Sequence, residues 1–154
     1  MVHRSWASLL PTVAPLVLLL GAAAMGKTAF FKGSGASTPL FNLSGSTFFE
    51  GSGSSRPLCN LKGGTLYQGS GSSSPILNVR SGTAYEGSGT SKPLFNIRSG
   101  RVYAGSGSSE VLFNVSGTKL FRGSGSSDPV LNWSGERFGD AELAAVAWLA
   151  QHPY

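Results

Sequence analysis

Residues 87–104 read GSGTSKPLFNIRSGRVYA, and this pattern recurs every 18 residues along most of the chain. Gly-Ser-Gly opens six such units, at Gly33, Gly51, Gly69, Gly87, Gly105 and Gly123. Numbered from this glycine, position 10 of every unit is an asparagine: Asn42, Asn60, Asn78, Asn96, Asn114 and Asn132. A strict period of this length indicates a repeat architecture, in which one small unit recurs and packs against its neighbours.

Each unit has the pattern of a β-hairpin. In the fourth unit, positions 8–11 are the β-rich run Leu94-Phe95-Asn96-Ile97, and a second β-rich run follows after the turn residues at 98–100. Two such runs joined by a short turn with glycine are typical of a hairpin, and proline at position 7 suits the start of a strand. The sequence predicts six hairpins, preceded by a lone strand at residues 29–32 that resembles the second strand of the first unit.

Apolar side chains occur on both faces of these strands. Positions 9 and 11 share one face, whereas position 8 lies with the asparagine on the other, according to simple strand alternation. We therefore expect neighbouring hairpins to cover each other on both sides, because an exposed flat sheet would also leave free edges. This favours an all-β fold of six 18-residue hairpin repeats arranged around an axis or stacked, in a propeller-like manner. A β-solenoid with one unit per coil is the alternative.

The C-terminal residues leave the repeat and predict a helix. Asp140 is the candidate N-cap, and Leu143, Val146, Ala147 and Ala150 fall on one stripe at helical spacing. Repeat folds need caps over their last apolar layer, so we interpret the segment as a capping helix. The predicted organisation is a β-hairpin repeat domain at residues 25–139 and a capping helix with its tail at residues 140–154.

The first 24 residues do not belong to the repeat. A basic start, an apolar run from Leu9 to Leu20 and small residues at 22–24 resemble a secretory signal peptide. The protein would then be exported, to a periplasm or to the medium. Alternatively, translation starts at Met25, so that residues 1–24 are a misassigned extension and the protein is cytoplasmic.

The chain lacks the residue combinations that enzymes need. Its two histidines, His3 and His152, lie at the extreme ends, and its carboxylates occupy different positions in different units. Cys59 is the single cysteine, at a strand position that suggests a small core residue. We predict no catalytic, cofactor-binding or metal-binding residue and no enzymatic activity. Residues 21–28 match the phosphate-loop pattern, but a strand rather than the required helix is predicted after Lys27, so nucleotide binding stays a remote alternative.

Three series of residues are candidates for binding. The aromatic residues of position 17, including Tyr67, Tyr85 and Tyr103, can stack on sugars if exposed, although packing in the core is the favoured interpretation. The asparagines, including Asn60, Asn78 and Asn96, either line a ligand or satisfy backbone groups beside the turns. Lys62, Arg80 and Arg98 share position 12 and would cluster on one rim, where they could attract phosphates or an anionic membrane surface, although a solvated basic rim is the favoured interpretation.

These observations favour a structural or binding module over an enzyme. A glycan or another surface polymer is the first candidate ligand, and a cytoplasmic, self-associating scaffold without a small ligand is the alternative. The net charge of +5 suits an anionic partner, but no motif of interleaved aromatic and basic residues predicts nucleic-acid binding.

The repeated string at residues 69–104, with Gly-Ser-Gly, Pro-Leu-Phe-Asn and a turn before tyrosine, resembles bacterial hairpin-repeat proteins. That resemblance extends over roughly residues 25–150. The chain is more distantly similar to the small β-flower proteins, which are built of hairpin petals. The resemblance implies a petal-like arrangement of hairpins around an axis and assigns no function to particular residues.

Overall fold

The computed structural model describes residues 26–135 and 138–154, so the predicted leader lies outside the described residues. The strands are β1 (Thr28–Lys32), β2 (Pro39–Ser44), β3 (Thr47–Glu50), β4 (Pro57–Lys62), β5 (Thr65–Gln68), β6 (Pro75–Arg80), β7 (Thr83–Glu86), β8 (Pro93–Arg98), β9 (Arg101–Ala104), β10 (Val111–Ser116), β11 (Lys119–Arg122) and β12 (Pro129–Ser134), followed by α1 (Asp140–Gln151). All strands join one closed antiparallel barrel in sequence order. The predicted all-β ring of hairpin repeats with a C-terminal helix is confirmed, and the solenoid alternative is wrong.

The two ends of the barrel differ in their connections. The short turns at positions 12–14 all lie at one end, which we call the turn end. The Gly-Ser-Gly segments all lie at the opposite end, which we call the loop end. This separation follows from the up-and-down topology, in which successive connections alternate between the two ends of the barrel.

The barrel closes where its first strand meets its last. Phe30 of β1 pairs with Trp133 of β12, and Phe31 pairs with Asn132. The fifth unit has the same register between β10 and β11, where Asn114 pairs with Phe121. β1 therefore replaces the second strand of the sixth hairpin. The predicted strand at residues 29–32 is confirmed, but it is not alone, because closure places β1 between β12 and β2. The prediction of a complete sixth hairpin within its own unit is wrong.

The interior is filled by positions 9, 11 and 16, as the strand alternation predicts. At two junctions between neighbouring units a large side chain opposes a small one, since Phe48 pairs with Cys59 and Ala84 pairs with Phe95. All four side chains are buried. Such compensation keeps the volume between strands filled without strain. Cys59 is thus a core residue, and burial raises the pKa of its thiol to about 12.

Position 8 differs from the sequence prediction, which places it on the face of the asparagine. A bulge interrupts each pairing between one unit and the next, for example where β3 pairs with β4, and Leu58 falls in it. A bulge adds a residue to one strand and redirects its side chain. Leu58, Ile76 and Leu94 consequently pack against the core. The expectation of two fully covered faces is also wrong, because position 17 stays half-buried on the outside in most units.

The helix α1 lies inside the barrel rather than on a terminal repeat layer. Ala144, Ala145, Val146 and Ala147 are all 0% exposed. Four consecutive residues point to every side of a helix, so α1 is surrounded on all sides. It contacts β4, β6 and β8. A closed ring has no exposed last layer to cover, and the helix instead fills the space that the ring encloses.

The helix runs from the turn end towards the loop end. Ala141 lies beside Gly45 and Gly63 in two short turns, whereas the Tyr154 ring lies 6.0 Å from the ring of Phe41 near the loop end. A helix of 12 residues is about 18 Å long, which matches the strands around it. Its N-cap is Gly139, without a side-chain cap, so the prediction of Asp140 as N-cap is wrong.

Replacing Phe30 tests the closure of the barrel. Its ring lies 4.5 Å from the Phe41 ring and 5.5 Å from the Phe138 ring, and the side chain is 0% exposed. Phe30→Ala should lower the free energy of unfolding by about 3–5 kcal/mol, because it leaves a cavity at the closing strand. Phe31→Ala, on the half-buried outer face of the same strand, should cost about 1 kcal/mol. Urea unfolding measures both, and equal losses would contradict an inward-facing Phe30.

Enlarging an alanine tests the enclosed position of α1. Ala145→Leu should destabilise the protein by about 1–3 kcal/mol, because the barrel wall leaves no room for three further heavy atoms. Ala150→Leu is the matched control, since Ala150 is only partly buried and leucine is nearly as good a helix former as alanine. Thermal unfolding should show a lower Tm for the first variant only. Equal tolerance of both would mean that α1 lies on the outside.

Candidate functional site

The outer face of the barrel carries the first two predicted series side by side. In every hairpin the asparagine of position 10 pairs across the ladder with the aromatic residue of position 17. The pairs are Asn42–Phe49, Asn60–Tyr67, Asn78–Tyr85, Asn96–Tyr103, Asn114–Phe121 and, across the closure, Asn132–Phe31. We call these twelve residues the belt, because they encircle the barrel.

The asparagines hold the Gly-Ser-Gly segments against the outside of the barrel. The Nδ2 group of Asn60 donates to the carbonyls of Gly69 and Gly71, at 3.0 and 2.6 Å. Asn132 makes the same pair of bonds across the closure, to Gly33 and Gly35. Both hydrogens of each amide are therefore used within the protein. The structure shows the backbone-satisfying role of this series, and a ligand could reach these side chains only through Oδ1.

The Oδ1 atoms differ between units. Those of Asn42 and Asn78 are buried and have no hydrogen-bond partner among the described residues. Asn96 is only half-buried, and its Nδ2 group donates to Ser106 and Gly107, at 3.3 and 2.9 Å. The fourth unit therefore holds its loop more loosely than the second.

The aromatic rings lie on the outside, not in the core as the favoured interpretation expects. Tyr67, Tyr85 and Tyr103 are all half-buried. Tyr67 pairs with Pro75 of the next unit, so part of its surface is covered by a proline. Tyr103 pairs with Val111, where the proline is missing. The three tyrosine side chains are thus partly accessible to solvent, whereas Phe121 of the fifth unit is buried, with 6% exposed.

The third predicted series lies at the turn end. Lys62, Arg80 and Arg98 are the last residues of β4, β6 and β8, and all three are exposed. Two further exposed cations, Arg101 and Lys119, begin β9 and β11 at the same end. The sequence analysis does not include these two residues, because position 15 of the repeat is threonine in the first three units.

The described residues hold no cluster typical of a metal centre. Within residues 26–135 and 138–154, no three His, Cys, Asp or Glu residues lie close enough to hold a metal ion. His152 is exposed and stacks on Trp148, with a centroid separation of 4.5 Å. Thr28, the last residue of the phosphate-loop match, begins a strand, and residues 21–25 of that match lie outside the described residues.

No helix in the described part of the chain is both long and apolar enough to cross a membrane.

The sequence model of the 6-fold beta flower protein family matches residues 30–143, well over half of the chain. The chain belongs to this family. A six-fold flower agrees with the five complete hairpins and the sixth that β1 and β12 form together. The beta-flower repeat is a structural fold rather than a known enzyme family. The comparisons with curated proteins and with solved structures give no match.

Removing one asparagine tests its role in holding a beta-flower petal. Asn60→Ala should lower the free energy of unfolding by about 1–3 kcal/mol, because two glycine carbonyls lose their donors beneath the loop. Asn96→Ala is the matched control and should cost less, since its bonds are longer and its side chain is half-buried. Urea unfolding at pH 7 measures the difference. A smaller loss at Asn60 than at Asn96 would contradict the assigned role.

Proposed function

We propose that the protein is a non-enzymatic binding module that holds a glycan or a similar surface polymer against its belt. The observation that carries this proposal is the outward position of the tyrosine rings in three consecutive units. Aromatic rings that are partly open to solvent, next to hydroxyl groups, are suited to stacking on the apolar faces of sugars. Thr65 and Thr83 lie on the same outer face beside the rings of Tyr67 and Tyr85.

The spacing of the rings favours a repeating ligand. Tyr67, Tyr85 and Tyr103 lie on β5, β7 and β9, with one strand between each pair. Neighbouring strands are about 4.8 Å apart, so successive rings are about 10 Å apart around the barrel. A linear polymer of sugars can contact several such rings at once, and individually weak contacts then add up through their linkage.

The belt is also rigid before it binds. The asparagine bonds fix the Gly-Ser-Gly segments, and a closed barrel has no free strand that could rearrange. A surface that is already ordered loses little conformational entropy when a ligand binds.

A surface polymer is accessible only to an exported protein. The proposal therefore includes the leader at residues 1–24 as an export signal. Mass spectrometry of the native protein tests this part separately: a precursor that retains residues 1–24, together with a shorter chain in the exported fraction, supports export. A protein found only inside the cell and only without residues 1–24 supports the cytoplasmic alternative.

A panel of immobilised glycans and bacterial surface polymers tests the proposal. The native protein should bind at least one polymer, and a Tyr67→Val, Tyr85→Val, Tyr103→Val variant should bind it at least tenfold more weakly, because three stacking contacts are removed. Valine retains the strand preference of the three positions.

The matched control replaces the same three tyrosines by phenylalanine. Phe49 and Phe121 occupy this position in other units, so phenylalanine fits the fold. It should retain most of the binding, since the ring is kept. Undiminished binding by the valine variant would overturn the role of the belt. Failure of the native protein to bind any polymer, together with stable oligomers in solution, would favour the scaffold alternative.

A further inference from the structure

Charge is distributed unevenly between the two ends of the barrel. The loop end has four acidic and four basic side chains: Glu50, Glu86, Glu110 and Asp128, and Lys32, Arg56, Lys92 and Arg122. Two ion pairs form there, Arg56–Glu50 at 3.1 Å and Lys92–Glu86 at 3.5 Å. The loop end is thus close to neutral, and part of its charge is paired.

The turn end has an excess of positive charge. We call five exposed cations of its hairpin strands the basic arc: Lys62, Arg80, Arg98, Arg101 and Lys119. A further exposed cation, Lys27, precedes β1, and its Nζ donates to the carbonyl of Ser52. The acidic groups described at this end are Asp140 and Glu142, at the start of the enclosed helix. None of the five cations forms an ion pair within 4.0 Å with a described residue.

Two members of the arc face each other directly. Arg98 and Arg101 are cross-strand partners, and the two residues of the turn between them, Ser99 and Gly100, both have positive φ, of 49° and 75°. Such a two-residue turn places its flanking residues side by side. Like charges directly opposite each other destabilise a hairpin. The corresponding partners of Lys62 and Arg80 are threonines, so the repulsion is not required by the repeat.

The cations lie at one level of the barrel. Each occupies position 12 or 15, which pair with each other across the turn, so all five stand close to the rim. The arc extends from β4 to β11, with about 10 Å between cations on alternate strands. The cavity beside Ser99 and Gly100 is lined by uncharged residues, so the cations stand around it and not in it. An array of charges spread along the rim matches an extended anionic surface better than it matches a small anion.

The apolar surface excludes deep insertion at this end. The large hydrophobic side chains that are exposed in the described residues are Leu40 and Tyr154, and both lie at the loop end. Attraction between cations and headgroups, without buried apolar contacts, therefore has to supply the binding, and it will be sensitive to salt.

We propose that the basic arc docks the turn end of the barrel onto a membrane surface that carries anionic phosphate headgroups. Arg98 and Arg101 together face one headgroup, whose phosphate relieves their mutual repulsion, and Lys62, Arg80 and Lys119 contact neighbouring headgroups. This surface lies on the rim and is distinct from the belt, so both partners can bind at the same time.

Sedimentation of the full chain with vesicles tests the proposal. The chain should bind vesicles containing phosphatidylglycerol and release them as sodium chloride rises from 50 to 500 mM, about the range over which exposed charges become screened. An Arg98→Ser, Arg101→Thr variant should bind about 10- to 30-fold more weakly, at roughly fivefold per cation. Serine and threonine occupy the equivalent positions at Ser44 and Thr47, so the variant suits the fold.

The matched control is Lys32→Ser, Arg122→Ser, which removes the same charge from the loop end. This control should bind vesicles as tightly as the native chain. Because all of the proteins share residues 1–25, any contribution of that segment to vesicle binding cancels when the affinity of a variant is divided by that of the native chain. A second readout is stability: the arginine variant should have an equal or higher Tm, because a repulsive pair is removed.

Four results would overturn the proposal. The first is an equal loss in both variants, which would mean that only net charge matters. The second is equal binding to vesicles of phosphatidylcholine alone. The third is displacement by millimolar inorganic phosphate at constant ionic strength. The fourth is arc-dependent binding to soluble duplex DNA as tight as to vesicles. Free phosphate as competitor would indicate a discrete anion site, and DNA would indicate a soluble polyanion as the partner.

Discussion

The pairing of β1 with β12 joins residues from the two ends of the repeat, and the remaining features of the molecule depend on it. An open sheet of the same strands would have two unpaired edges and no enclosed space for α1. Closure removes both edges at once and buries Phe30 between Phe41, Trp133 and Phe138. Asn132 then fixes the Gly-Ser-Gly segment that follows β1, with the same two bonds that hold the loops inside single units.

Closure in turn limits what the interior can contain. Six units of equal backbone length enclose a fixed volume, and the helix occupies its centre with alanines at Ala144, Ala145 and Ala147. Where a larger side chain on the wall is opposed by a smaller one, as Phe48 is by Cys59, the enclosed volume stays filled. The aromatic residues gather at the closure, where β12, β1, β2 and β3 meet. The interior is thus less regular than the repeat that builds its wall.

The sequence predicted the parts of the fold that depend on local pattern. The period, the alternation and the turn residues identified the hairpins and the inward side chains at positions 9, 11 and 16. The closure of the ring, the pairing of β1 and the position of α1 depend on contacts between distant segments. A local sequence pattern does not reveal such contacts, so it does not decide between a ring and a solenoid. Leu58 was assigned to the wrong face because a bulge shifts the alternation without a signal in the side chains. The sequence pattern predicts three of the five cations of the basic arc. Arg101 lies beside Arg98 because of the register of the turn, which the alignment of units does not show.

The basic arc lies on other strands than the pairing of β1 with β12, which closes the ring. The short turn of the first unit, at residues 44–46, and the described part of the sixth, at residues 134–135, contain only serine and glycine. The basic arc occupies the strands between them, from β4 to β11, whereas the closing strand β1 carries Lys32 at the loop end. A repulsive pair such as Arg98 and Arg101 costs little in a hairpin that both neighbours hold in place, but it would weaken the strand whose pairing completes the barrel.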